Sequence, residues 1–175
     1  MKQPLILAAS IILSLISSGC VPIATAPAAK PTSNTGSVRF FAPPSDTNGL
    51  EFSNFDATRV TASGQNLGTL YLTQITLELG GGTANVRGVS LQISAKLSAG
   101  FTCTLGTVQA TAGSFNACDL IYSSNKTNLK AASGTFRVTS LEGGTLRFAA
   151  VADLKTQTGG ILKLELDGKV DNFAP

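Results

Sequence analysis

From Tyr71 onward the chain alternates apolar and polar residues with a period of two. Tyr71, Thr73, Ile75, Leu77 and Leu79 fall in one phase, with Gln74, Thr76 and Glu78 in the other. After a loop at Gly80-Gly81-Gly82 through Asn85, Val89, Leu91, Ile93, Ala95 and Leu97 alternate with Ser90, Gln92, Ser94 and Lys96. Side chains of a strand point to opposite faces in turn, so this period predicts half-buried strands. The last third repeats it. Phe136 and Val138 flank Arg137, then Leu146, Phe148, Ala150 and Ala152 share a phase, then Leu162, Leu164 and Leu166 alternate with Lys163, Glu165 and Asp167. Glu142-Gly143-Gly144 and Thr158-Gly159-Gly160 separate these runs as turns, which predicts an antiparallel meander. Earlier signals are shorter: Val38 and Phe40 around Arg39, a turn at Ala42-Pro43-Pro44-Ser45-Asp46, Leu50 and Phe52 around Glu51, and an extension over Thr58 to Thr61. The pattern leaves little room for a long helix. It predicts an all-β domain of about eight to ten strands, a single antiparallel β-sandwich, jelly roll or small barrel.

The N-terminus follows a different rule. Lys2 carries the single charge of a short polar opening, and Pro4 to Ile16 form an apolar run. That run is shorter than the roughly 20 residues needed to span a bilayer, and it fits the core of a secretory signal. It closes on Ser17-Ser18-Gly19-Cys20, where small residues precede a cysteine. Here the chain resembles a bacterial lipoprotein precursor, in which an aliphatic residue and two small residues precede a lipidated cysteine. Ser17 stands where that pattern favours leucine, with Leu15 and Ile16 displaced toward the N-terminus. The resemblance implies a signal peptide over 1–19, lipidation of Cys20 and attachment to a membrane of the cell envelope. Val21 follows Cys20. The aspartate that retains such proteins at the inner membrane is therefore missing, and the resemblance implies the outer membrane, facing periplasm or surface.

Val21 to Ser37 holds Pro22, Pro27 and Pro31 among Ala, Thr and Ser, with no period. Residues 20–37 therefore read as the lipidated cysteine and a flexible linker, with the β domain over 38–175. Fully extended, the linker reaches about 55–60 Å.

Composition narrows the function more than it names it. The net charge is +3 from 13 basic and 10 acidic residues, and the basic ones are scattered, so no stripe for nucleic acid is present. An apolar content of 43% is too high for a disordered chain. The sequence has no His, which removes Ser-His-Asp and Cys-His machinery and most zinc and haem sites. Asp153, Asp167 and Asp171 are not gathered in one calcium loop. Glu165 and Asp167 share a phase beside Lys163 and Lys169, a mixed-charge solvated face and not a hydrolytic pair. No cofactor or metal is expected, and no enzyme. With Cys20 lipidated, Cys103 and Cys118 remain. Each falls in phase with apolar neighbours, Phe101 and Leu105 for one, Leu120 and Tyr122 for the other. In an oxidising compartment they are expected to pair as a structural disulfide.

Two functions fit. One is a non-enzymatic binding or structural module displayed from a membrane, recognising an unknown protein through loops at Asp46–Gly49, Gly80–Asn85 and Ser123–Ser133. The other is a carrier of a lipid or other amphiphile inside the jelly roll or barrel. Ala152-Asp153-Leu154 through Leu166-Asp167-Gly168-Lys169-Val170 resembles the strand repeats of lipopolysaccharide-transport β-jelly rolls, which implies the carrier; a dry leucine core explains the same residues. The anchor has a direct test. Cys20→Ser should release the domain from membranes or block its processing, read by membrane fractionation. A Ser variant that sediments with membranes like wild type would refute lipidation.

Overall fold

In the computed structural model, residues 33–41, 54–80, 87–111 and 114–175 are described. They contain strands and turns and no helix. The strands are β1 (Thr35–Phe41), β2 (Phe55–Asp56), β3 (Arg59–Asn66), β4 (Tyr71–Glu78), β5 (Arg87–Ile93), β6 (Thr102–Thr104), β7 (Thr107–Thr111), β8 (Ser114–Ser124), β9 (Thr127–Glu142), β10 (Thr145–Lys155) and β11 (Ile161–Val170). All join one sheet in the order β2-β1-β11-β10-β9-β8-β5-β4-β3, with β6 on β9 and β7 on β8. Each described pairing is antiparallel. The all-β antiparallel expectation therefore holds, and the meander β9-β10-β11 lies where the alternation put it.

The two ends of the sheet are consecutive in sequence. β2 and β3 are separated by Ala57 and Thr58 alone. Ala57 N–H donates to the Gly36 carbonyl on β1, and Thr58 N–H donates to the Glu78 carbonyl beside β4, each at 2.7 Å. One stretch of chain thus bonds to both ends, and the sheet curls toward a barrel. The inward and outward phases slip by one residue at the switch. Phe55 and Ala57 point inward before it and Val60 after it, while Thr58 and Arg59 are both exposed. A bulge of this kind bends a strand and re-aims its side chains.

The strand boundaries correct two expectations. Part of the segment read as linker, Thr35 to Ser37, is already strand, and the structure is described from Ser33. Gly36 occupies an inward position there. A Cβ on it would lie 3.0 Å from both the Val60 and the Leu77 side chains, so the interior site is filled by its neighbours and shows no apolar letter. The loop expected over Ser123–Ser133 is mostly strand. Only Asn125 and Lys126 turn between β8 and β9, and Leu129 and Ala131 face inward between polar residues. The candidate around Leu50 to Phe52 lies outside the described residues.

Inward positions form one apolar cluster. Phe136 and Phe148 sit in it with centroids 6.1 Å apart. The Phe148 ring lies over Gly168, where a Cβ would come within 2.3 Å of it, so the bare backbone makes room for the ring. Leu97 and Phe173 are buried from outside the strands. β8 and β9 pair only over Ile121–Ser124 and part beyond it. β6 and β7 enter that gap, one on each side. Opposite them β9 carries a bulge near Ala132, where the register against β10 shifts. Gly134, at φ +143, lets the backbone of β9 approach Val151 closely, which a side chain would prevent.

The face assignment predicts two unequal substitutions on β11. Leu164 is fully buried, and Leu164→Ala should cost about 2–5 kcal/mol through lost packing and the hole left behind. Lys163 lies on the wet face, in an exposed ion pair with Asp153 at 3.7 Å, and Lys163→Ala should cost under about 0.5 kcal/mol. Denaturant melts of both variants check this, and equal costs would overturn the assignment.

Candidate functional site

Antiparallel register sorts the strand ends into two poles. Phe41, Phe55, Glu78, Arg87, Ser124, Lys155 and Ile161 lie at one, the rim. Ser33, Asn34, Tyr71, Ile93, Glu142 and Val170 lie toward the other, the base. Asp46–Gly49 is outside the described residues, as is Gly80–Asn85 apart from Gly80. The described residues that flank them, Phe41, Asn54, Gly80 and Arg87, all belong to the rim.

A groove with a volume of about 540 Å³ opens there between β1 and β2, lined by Ser37 to Phe41 and Asn54 to Asp56. Its floor is aromatic. Phe40 meets Phe55 edge to face at 6.3 Å and Tyr122 likewise at 5.2 Å. The Arg87 guanidinium lies over Phe55, 5.2 Å from the ring centre. Such contacts hold rings in fixed orientations and are worth roughly 0.5–1.5 kcal/mol each beyond burial. Burial raises the Tyr122 hydroxyl above its ordinary pKa, and the nearby Arg87 charge partly opposes the shift. The walls are polar and come from outward positions. Ser37 donates to the Asp167 carboxylate at 2.7 Å. Arg39 faces Glu165 across the ladder, and Asp56 faces Ser37. Phe41 is 42% exposed. The arrangement offers one guanidinium, one carboxylate, one amide from Asn54 and an exposed ring. That equips it to hold a ligand and gives it no acid–base pair for chemistry.

Cys103 and Cys118 form a disulfide, with Cα atoms 6.2 Å apart and 15 residues between them in sequence. It ties β6 to β8 where β8 leaves β9. A closed loop of that length is worth about 3 kcal/mol in the chain-entropy account. Beside it a smaller depression of about 290 Å³ is lined by Ile93, Ala95, Phe101 and both cysteines. The Lys130 ammonium meets the largely buried Asp119 carboxylate at 2.9 Å near the same divergence. Cys20 lies outside the described residues. Among the described residues no group of His, Cys, Asp and Glu could hold a metal ion, and no helix is long and apolar enough to cross a membrane.

At the base, the chain leading into β1 is fastened on two sides. The Asn34 amide donates to the Val60 carbonyl on β3 at 2.9 Å, and its oxygen accepts from Asp171 N–H at 2.8 Å. The Asp171 carboxylate accepts from the Ser33 hydroxyl, the Lys169 ammonium and the Thr145 hydroxyl. These donors, Ser33 first and Lys169 next, hold its pKa at about 2, below the ordinary 3.8.

Sequence reasoning missed the groove. Phe40 and Phe55 are far apart in the chain's pattern, and β2 is too short to show a period. The one local sign was the aromatic residues on either side of the Pro43-Pro44 turn. Comparison with protein-family models, with curated proteins and with solved structures gave no match.

The base clasp predicts a pH dependence. Asp171 has a folded pKa below its unfolded value, so its contribution is complete above about pH 4 and is lost as pH falls toward 2. Asp171→Asn should lower the denaturation midpoint at pH 6 and leave it unchanged at pH 2. A constant difference across that range would show that the carboxylate charge is not what the clasp uses.

Proposed function

We propose that this chain is an exported lipoprotein, held to a membrane of the bacterial cell envelope through lipid on Cys20, whose β domain is a non-enzymatic binding module. The observation that carries the reading is the separation of the poles. A tether arriving at Ser33 joins the domain at the base, and the aromatic groove opens at the rim, one strand length away. At about 3.4 Å per residue, the seven residues of β1 span roughly 20–25 Å. A domain tethered by its base presents its rim outward, where a partner has access.

The interior supports a binding surface over a carrier. Its inward side chains join in one cluster, and paired phenylalanines occupy its middle. Closely packed interiors leave little space for an acyl chain. The outer membrane remains the preferred location, on the lipoprotein resemblance alone.

Mass spectrometry of the native protein extracted in detergent tests both parts. The expected spectrum shows acyl chains on a mature N-terminal Cys20 and no lipid retained non-covalently in stoichiometric amount. An unmodified Cys20 would refute the anchor. A retained amphiphile at one per chain would replace the binding module with the carrier.

A further inference from the structure

The groove and the surface next to it share a chemical character that points to a class of ligand. The strand that supplies Asn54 and Asp56 continues into β3, whose outward residues run on as Thr61, Ser63 and Gln65. The register places Thr61 beside Thr76 and Thr76 beside Ser90, and in the next row Ser63 beside Gln74 and Gln74 beside Gln92. Two rows across β3, β4 and β5 are therefore hydroxyl and amide groups without a charge. The opposite side of the domain differs. The outward residues of β10 and β11 include Arg147, Asp153, Lys155, Lys163, Glu165 and Asp167. Charge is segregated around the barrel, and the groove lies on the seam that leads to the uncharged side.

We propose that the seam groove, together with this uncharged face, binds a neutral glycan chain. The inference rests on the binding-module reading and names its ligand. Arg39 and Asp56 cancel in charge, so the groove does not select an ion of either sign. Carboxylate, amide and guanidinium groups make paired hydrogen bonds, which suit adjacent sugar hydroxyls. The exposed Phe41 ring offers a negative face to the polarised C–H bonds of a pyranose. Serine, threonine and glutamine rows extend the hydrogen-bonding surface over neighbouring strands about 4.8 Å apart, enough for a chain of several sugar units. An anionic polymer would find its cations on the other side, and an acyl chain would find a wet surface.

The test uses the mature chain labelled with ¹⁵N, titrated in turn with cellohexaose, chitohexaose, a sulfated hexasaccharide and an acidic peptide. A neutral oligosaccharide should shift the amides of Arg39, Phe41, Asn54 and Asp56, then those of Thr61 and Thr76. Phe41→Ala should weaken that binding roughly tenfold, the loss of one aromatic contact, and leave the melting temperature unchanged because the ring is exposed. Lys155→Ala, on the charged side, should leave affinity unchanged. Neutral probes that cause no shift at millimolar concentration, or that shift residues elsewhere, overturn the proposal. If the acidic peptide alone shifts Arg39 and Phe41, the glycan class fails and the binding module stands. If no probe shifts the groove and a lipid is retained by the extracted protein, both fail.

Discussion

A curled sheet must dispose of two edges, each a row of backbone donors and acceptors that invites another chain. Here both ends of the sheet are served by residues 55 to 66, and the transfer occurs in two successive bonds, Ala57 to Gly36 and Thr58 to Glu78. The rest of the domain depends on that transfer. It requires β1 to approach β3 and β4, which a side chain at Gly36 would obstruct, and it is held at the base by Asn34, which reaches both β3 and the end of β11. The residues that lead the chain into the domain therefore also bind its seam.

A second opening is handled by insertion. Below Ile121 the pairing of β8 with β9 ends, and two donors and acceptors per residue pair would be left without ladder partners. β7 continues the ladder of β8 and β6 that of β9. The two short strands bury little by themselves. Their hold comes from Leu105, which is buried and donates its N–H to the Gly134 carbonyl, and from the disulfide to Cys118. Covalent fastening is most useful where few side chains can pack.

Legibility in the sequence followed burial contrast. β10 and β11 alternate over ten or more residues between a packed cluster and water, and every inward residue from Leu162 to Leu166 was readable. Where the inward position is small the pattern failed. Gly36 hid the start of β1, and Ala131 between Leu129 and Gly134 made the upper part of β9 resemble a loop. The cysteine pairing was legible because phase and compartment agreed. The groove was not, because its floor joins Phe40 and Phe55 across the seam with Tyr122 from β8 and the guanidinium of Arg87 from β5. No local period encodes a contact set by the closure of a sheet.

The slip in phase at Ala57 and Thr58 connects closure with surface chemistry. An unbroken strand from Asn54 would have carried its outward phase to Thr58, Val60 and Ala62, placing Val60 in water and Arg59 in the core. The slip returns Val60 to the interior and keeps both Asp56 and Thr61 outside. The same one-residue irregularity that lets the strand change partners therefore aligns polar groups on either side of the seam. Phe55 stays inward, where Phe40 and Arg87 fix its ring, and Asp56 is left on the outer wall. The groove is thus a consequence of how the barrel closes, and a surface placed there inherits the rigidity of the seam.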